Sequence, residues 1–242
     1  MRLDKMLCQM GLGTRSAVRE IVRAGRVAVD AQIARDPGLG IDPERHAVSL
    51  DGTPLLWKHT RTVMLHKPTG VLTAARDKKQ PTVLDLLPPL YRAQGCMPAG
   101  RLDKDTSGLL ILTTDGQLAH RLIAPNHEIP KRYRARLDGP LGEDDVRAFA
   151  KGLAIEDADG AFVARPAALS ILSSCAGESE AEVVVTEGKY HQVRRMFDAR
   201  GRTVTALCRL SIGGLALDPA LAPGAYRELT EAEVALLERT AP

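Results

Sequence analysis

Residues 100–116, GRLDKDTSGLLILTTDG, constrain the fold more than any other stretch of the chain. A polar segment rich in turn-forming residues (Gly100, Thr106, Ser107, Gly108) runs straight into an aliphatic run, Leu109 to Leu112, which reads as a strand closed by Asp115-Gly116. The apolar strand holds Asp103 beside a sheet rather than free in solvent. That position suits a reacting carboxylate. It equally suits a polar connection in which Asp103 or Asp105 only bonds nearby backbone amides, and spacing alone leaves both readings open.

The elements on either side are short. From Arg61 onward, TVMLHKPTGV reads as a strand ending at Lys67-Pro68, TVLDLLPP as a short helix stopped by Pro88, QLAHRLIAP as a helix and KRYRARLDGPL as a strand. GEDDVRAFAKGL follows as a helix whose Glu143, Asp144 and Asp145 favour its N-terminal dipole. Then come the strand AEVVVTEG, the helix KYHQVRRMFDARG ended by Gly201, and the strand TVTALCRLSIGGLAL. Strand pairs interleaved with helices predict an α+β fold on a mixed, largely antiparallel sheet with flanking helices, not a doubly wound parallel one.

The first 58 residues read as a separate unit. Leu3, Met6, Leu7 and Met10 recur at helical spacing, Gly11 and Gly13 break the pattern, and Thr14 caps a second helix whose stripe is Ala17, Val18, Ile21 and Val22. RVAVDAQIA alternates about an Asp-Ala turn, HAVSLDGTPL offers one more strand with an Asp-Gly turn, and WKHTRT is the linker. The expected division is a small domain over 1–58 and a larger one over 59–242.

Composition excludes several classes. With 44% hydrophobic and 26% charged residues over 242 positions, the chain is neither disordered nor membrane-spanning, since no apolar run approaches the roughly 18 residues a span needs. The opening MRLDKMLCQMG lacks the apolar core of a secretory signal, so a cytoplasmic protein is expected. Cys8, Cys96, Cys175 and Cys208 fit neither a disulfide framework nor a zinc site and are expected as buried thiols. His120, His127 and His191 have no partners at ligand spacing, and Gly11-x-Gly13 follows no strand, so neither a metal nor a cofactor is expected. A formal charge of +3 is mild, and any nucleic-acid surface must come from clustering. Arg2, Lys5, Arg15, Arg19, Arg23 and Arg26, set against Asp4 and Glu20, form one such cluster. A solvated helix pair would account for that cluster equally well.

RLDKML, TRSAVREIVRAGRVAVD and LDGTPL resemble the S4 RNA-binding domain, which implies that those six cations face RNA phosphates. GRLDKDTSGLLILTTDG resembles the hallmark motif of the pseudouridine synthases that modify ribosomal RNA, and LHKPTGVLTA, PKRYRARL and EGKYHQVRRMF agree with that family in the same order. The resemblance implies that Asp103 is catalytic and that Tyr133, with Lys131, occupies the element whose tyrosine stacks under the target base. It also implies that Arg194 pairs with the catalytic carboxylate and that Val193 lines the pocket. An arginine fork facing Asp103 would keep it ionised and oriented. One departure is Pro130, where the family often carries a charged residue.

Pseudouridine formation detaches uracil from C1′, rotates it and joins C5 to the same carbon, with no net redox change. One carboxylate and a closed pocket suffice, which accounts for the missing dinucleotide and phosphate-loop motifs. Since the target base must leave its stack, Arg101 is either an RNA contact beside the vacated site or a structural ion pair. His191 and Arg195 are further candidate RNA contacts. Arg132, Arg134 and Arg136 alternate onto one strand face, with Lys131 and Tyr133 on the other. Within the family, YHQVRRMF and IGGLALDPALAPGAYRELT resemble the enzymes of the small subunit. The expected substrate is therefore 16S ribosomal RNA within an assembly intermediate, with no membrane partner and a monomeric enzyme. The alternatives are a synthase acting on 23S ribosomal RNA, or an RNA-binding ribosome-assembly protein without turnover.

Overall fold

The computed structural model describes residues 1–239; the end of the expected second domain, 240–242, lies outside the described residues. In chain order the elements are α1 (Leu3–Gln9), α2 (Arg15–Arg23), β1 (Val27–Val29), β2 (Gln32–Ala34), β3 (Val48–Leu50) and β4 (Thr53–Pro54). They continue with β5 (Thr62–Lys67), α3 (Pro89–Ala93), β6 (Met97–Pro98), β7 (Thr106–Thr113), α4 (Gly116–Ile123), β8 (Lys131–Leu137) and α5 (Glu143–Lys151). The last are β9 (Leu153–Asp157), β10 (Gly160–Ala164), β11 (Ala168–Ser174), β12 (Ser179–Val185), α6 (Gln192–Asp198), β13 (Val204–Ile212), β14 (Leu215–Ala216), β15 (Tyr226–Glu228) and α7 (Glu231–Leu237).

The first helix pair forms as its spacing dictates. The Thr14 hydroxyl accepts a hydrogen bond from the Ala17 amide at 3.3 Å, and Leu3, Met6, Leu7, Val18 and Val22 bury one face over the sheet β2-β1-β3-β4. HAVSLDGTPL gives two strands rather than one. Asp51 and Gly52 both take positive φ, the turn geometry that folds β4 back onto β3. Leu55 and Trp57 pack against this same core, so the start of the expected linker belongs to the first unit. Asp4 is fully buried and meets Arg2 at 3.0 Å, Arg19 at 3.2 Å and Arg15 at 3.6 Å.

The larger unit is a nine-stranded sheet in the order β11-β12-β8-β13-β7-β5-β15, with β6 on β7 and β14 on β13. Only the β13–β7 pairing is parallel among the described strands, which gives the mixed, largely antiparallel sheet. Leu109, Leu110, Ile111 and Leu112 of β7 are all fully buried. Their period of two sends Leu110 and Leu112 against Val83, Leu84 and Tyr91, and Leu109 and Ile111 against Leu118 and Leu122 of α4. Each such side chain contributes about 1.5–3 kcal/mol by leaving water. Gly108 is required here. Its φ is +105° and a Cβ would lie 2.3 Å from the Arg209 carbonyl oxygen across the parallel pair.

Other elements differ from expectation. Asp115-Gly116 does not close a turn: Asp115 caps α4, accepting from the Gln117 and Leu118 amides at 2.8 and 3.1 Å. The helix expected from Lys189 begins only at Gln192, because His191 sits in the left-handed region at φ 49°. Strands β9 to β11 and helix α3 had no clear sequence signal. Cys175 is exposed and only Cys96 is buried. The two units meet where Gly11 approaches the Leu90 backbone too closely for a Cβ, and where Glu228 binds both Lys58 and Arg61. Among the described residues, no helix is long and apolar enough to cross a membrane.

Candidate active site

A cleft of about 520 Å³ opens beside the loop between β6 and β7, within the range of roughly 300–1,000 Å³ that holds nucleotide-sized ligands. Asp103, Tyr133 and the loop Glu187–His191 line it, with Lys131, Arg209 and the end of α4. The loop carrying Asp103 is clamped from beneath. Lys67, at the end of β5 and fully buried, donates from Nζ to the carbonyls of Thr106 (2.9 Å), Asp103 (3.0 Å), Pro68 (3.1 Å) and Lys104 (3.3 Å). Thr73 Oγ1 donates to the Leu102 carbonyl at 2.7 Å and accepts from its amide at 3.2 Å. Leu102 is buried in the core, so the following residue projects into the cleft. Burial pushes the Lys67 amine down to about 8, against the opposing charges of Asp103 and Asp105.

Asp103 retains 30% side-chain exposure, and its Oδ1 lies 3.5 Å from His191 Nε2. Arg194 does not pair with it. Its Nη2 meets Asp105 Oδ2 at 3.0 Å, while Nη1 donates to the Val204 carbonyl at 2.9 Å. The second bond fixes the guanidinium on β13, and Asp105, two residues further along the loop, is the acid within its reach. Val193 is buried and, with Leu207, lines a smaller pocket that shares Asp103, Tyr133 and His191 with the cleft.

Tyr133 spans two cores and its hydroxyl accepts from Arg209 Nη1 at 3.4 Å. Arg209, the cation within the strand TVTALCRLSIGGLAL, is 3% exposed. Its Nε donates to the Leu109 carbonyl at 2.8 Å, and its Nη2 is buried without a hydrogen-bond partner. The signal was available: an arginine amid the apolar alternation of TALCRLSI has to enter the sheet. Lys131 Nζ donates to the Ile129 carbonyl at 2.8 Å. Burial, with Arg209 nearby, pushes this amine down to about 8. Lys67 is the other site residue the sequence left unmarked, despite standing at the end of an apolar strand.

The outer cations divide. Arg101 is exposed on the cleft rim and forms no ion pair with the described residues, which leaves it free for a ligand. Arg195, expected as an RNA contact, is turned inward: it is 6% exposed, donates to the Gly160 carbonyl and lies 4.6 Å over the Phe162 ring. Neighbours on a helix point to different faces, and α6 turns Arg195 into the fold. Arg132, Arg134 and Arg136 do alternate outward, but Glu182 of β12 meets Arg132 at 3.8 Å and Arg134 at 2.9 Å. In the first unit Arg2, Arg15 and Arg19 surround Asp4, and Arg26 binds Asp51. Lys5 and Arg23 form no ion pair with the described residues. No group of three or more histidine, cysteine or carboxylate side chains among the described residues could hold a metal ion.

Comparison with known proteins bears on what this cleft does. The RNA pseudouridylate synthase family matches residues 61–199, and the S4 domain family matches residues 1–45. The chain belongs to the RNA pseudouridylate synthase family. The synthase is 45% identical to an uncharacterised RNA pseudouridine synthase of Bacillus subtilis, over 98% of either chain. It is 41% identical to ribosomal small subunit pseudouridine synthase A of Escherichia coli, over 97% of this chain and 99% of the relative. A crystal structure described as a pseudouridylate synthase matches it with a TM-score of 0.68 at 34% identity, over 98% of this chain and 99% of that one. The synthase is thus an isomerase acting on RNA, with an S4 domain at its N-terminus ahead of the cleft-bearing sheet.

Proposed function

We propose that the synthase converts a uridine of 16S ribosomal RNA to pseudouridine, with Asp103 as the reacting carboxylate. On this reading residues 1–58 form the RNA-binding domain and the catalytic domain begins at residue 59. One observation carries the assignment of Asp103. The carboxylates lining the cleft are Asp103 and Glu187, and Glu187 is committed to Gln192 Nε2 at 2.6 Å and the Arg165 amide at 2.9 Å. Asp103 alone of the two faces open space. The 16S target is supported by the relatives named for the small ribosomal subunit.

The chemistry follows from this placement. The C1′–N1 bond breaks, uracil turns within the cleft, C5 bonds to C1′, and the proton on C5 is lost while N1 gains one, so that the product is an isomer of the substrate. Asp103 serves either by attacking C1′ or by taking a ribose proton. Tyr133 offers a ring face to the base, and Arg209 and Lys131 bring positive charge to the cleft wall for its carbonyl or phosphate oxygens. Arg194 positions the loop through Asp105.

The test is to incubate the protein with precursor small-subunit RNA, bare and partly assembled, and to map pseudouridines by carbodiimide-dependent primer stops beside Asp103→Asn. One new stop that disappears in the variant, with RNA binding retained, supports both assignments. A stop only on large-subunit RNA overturns the target. Turnover retained by Asp103→Asn overturns the carboxylate, and tight binding with no stop on any RNA points to an assembly protein without turnover.

A further inference from the structure

Of the four tyrosines, Tyr91 is buried, and Tyr133 and Tyr226 are packed against the cores. Tyr190 is 55% exposed, at the mouth of the cleft. One face of its ring lies on the His191 imidazole, with centroids 3.8 Å apart and planes 19° from parallel. No other ring or cation stands over it among the described residues. We propose that Tyr190, backed by His191, is a stacking platform for a nucleobase adjoining the uridine that enters the cleft.

The platform is held as a rigid piece. His191 adopts φ 49°, a conformation costly for a residue with a side chain. It also precedes α6 without capping it, and its imidazole meets Asp103 instead. The loop bearing the pair is tied at both ends: Gln192 Oε1 accepts from the Lys189 amide at 3.0 Å, and Gln192 Nε2 reaches buried Glu187. The exposed ring therefore stands one imidazole away from the Asp103 carboxylate. Extruding a uridine from its stack leaves the neighbouring bases without a partner. An aromatic face fixed beside the entrance replaces that partner for any of the four bases. Ile123, 54% exposed on the opposite rim, offers no comparable ring.

The inference rests on this cleft being where the uridine of the proposed function enters, and it holds for whichever ribosomal RNA is the substrate. A short RNA spanning the mapped uridine is made in three forms: intact, abasic at the 5′ neighbour and abasic at the 3′ neighbour. Wild type, Tyr190→Ala and Tyr190→Phe, each as the full chain, are compared in single-turnover kcat/KM. Stacking of one base corresponds to about 10- to 100-fold, so Tyr190→Ala should lose that factor on intact RNA and Tyr190→Phe, which keeps the ring, should recover most of it. Removing one of the two neighbouring bases should bring wild type down by the same factor and leave Tyr190→Ala unchanged.

Equal losses for wild type and Tyr190→Ala at both abasic positions, or no loss for Tyr190→Ala on intact RNA, overturn the platform. The same cycle is run on Kd in the Asp103→Asn background, where no chemistry is needed. A cycle seen in Kd while Asp103→Asn still turns over would leave the platform standing and remove the assignment of Asp103. Turnover lost in Asp103→Asn with no cycle in either quantity would do the reverse.

Discussion

Lys67 shows how much one buried side chain decides about the site. Its ammonium gathers the carbonyls of Pro68, Asp103, Lys104 and Thr106 around one point, where the Gly70 amide also reaches the Lys104 carbonyl and the Thr106 amide that of Asp103. Lys67→Met keeps the length and removes the donors. Its stability to urea should fall by about 2 kcal/mol, the cost of losing charge-assisted hydrogen bonds to buried carbonyls, two of which keep a backbone amide donor. Turnover at saturating RNA should fall further than the stability loss explains, toward ~10²-fold, because a loop displaced by a fraction of an ångström misaims Asp103. A variant with normal turnover would mean that the clamp does not position the carboxylate. At this scale the sequence exposed the site only in part. A motif marks Asp103, Tyr133 and Val193, and the fold brings them to the cleft or the pocket adjoining it. The partner of Arg194 was not legible, since Asp103 and Asp105 lie two residues apart in one loop and only the clamps from β5 and β13 decide which of them turns toward the arginine.

Elements follow the same logic. Where apolar spacing and a side-chain cap agree, as in α2 behind Thr14, the start of the helix can be read directly, whereas the cap of α4, Asp115, stands where the sequence reads as a turn. Where a positive-φ residue intervenes, as at His191, the helix begins later than its pattern suggests. Strands β9 to β11 expose Val163 and Leu172, which blurs the alternation that marks a strand. Gly108 lies at the tightest backbone approach, so Gly108→Ala should cost more than about 4 kcal/mol or abolish soluble protein. Gly70→Ala shares the positive φ but meets nothing within 4 Å, and should cost only about 1 kcal/mol; urea titrations of both separate crowding from backbone strain. In the first helix pair, hydrogen bonding from Arg2, supported by Arg19, holds the Asp4 carboxyl at about 2, below its ordinary 3.8. Its stabilising contribution is complete above the ordinary value and is lost as the pH falls through about 2. Melting temperatures recorded across that window should decline more steeply for wild type than for Asp4→Asn, and parallel curves would show that Asp4 carries no such linkage.

For the whole molecule, charge matters by location rather than by sum. With Arg2, Arg15, Arg19 and Arg26 engaged by Asp4 and Asp51, Lys5 and Arg23 are the cations of the helix pair α1–α2 that form no ion pair with the described residues. Replacing both with alanine should weaken RNA binding and reduce the slope of log Kd against log salt by about 1.4, as expected for two contacts to single-stranded RNA. An unchanged slope would place the phosphate contacts elsewhere. The sheet order has a consequence for how the protein comes into being. Strand β13 lies between β8 and β7, yet it is among the last to be synthesised. A nascent chain emerging from the ribosome can therefore pair β5 with β7 and β8 with β12, but these remain two separate half-sheets with Asp103 on one and Tyr133 on the other. Insertion of β13 joins the halves and assembles the cleft in a single late step, so that translation must be nearly complete before the chain has any competence to modify RNA.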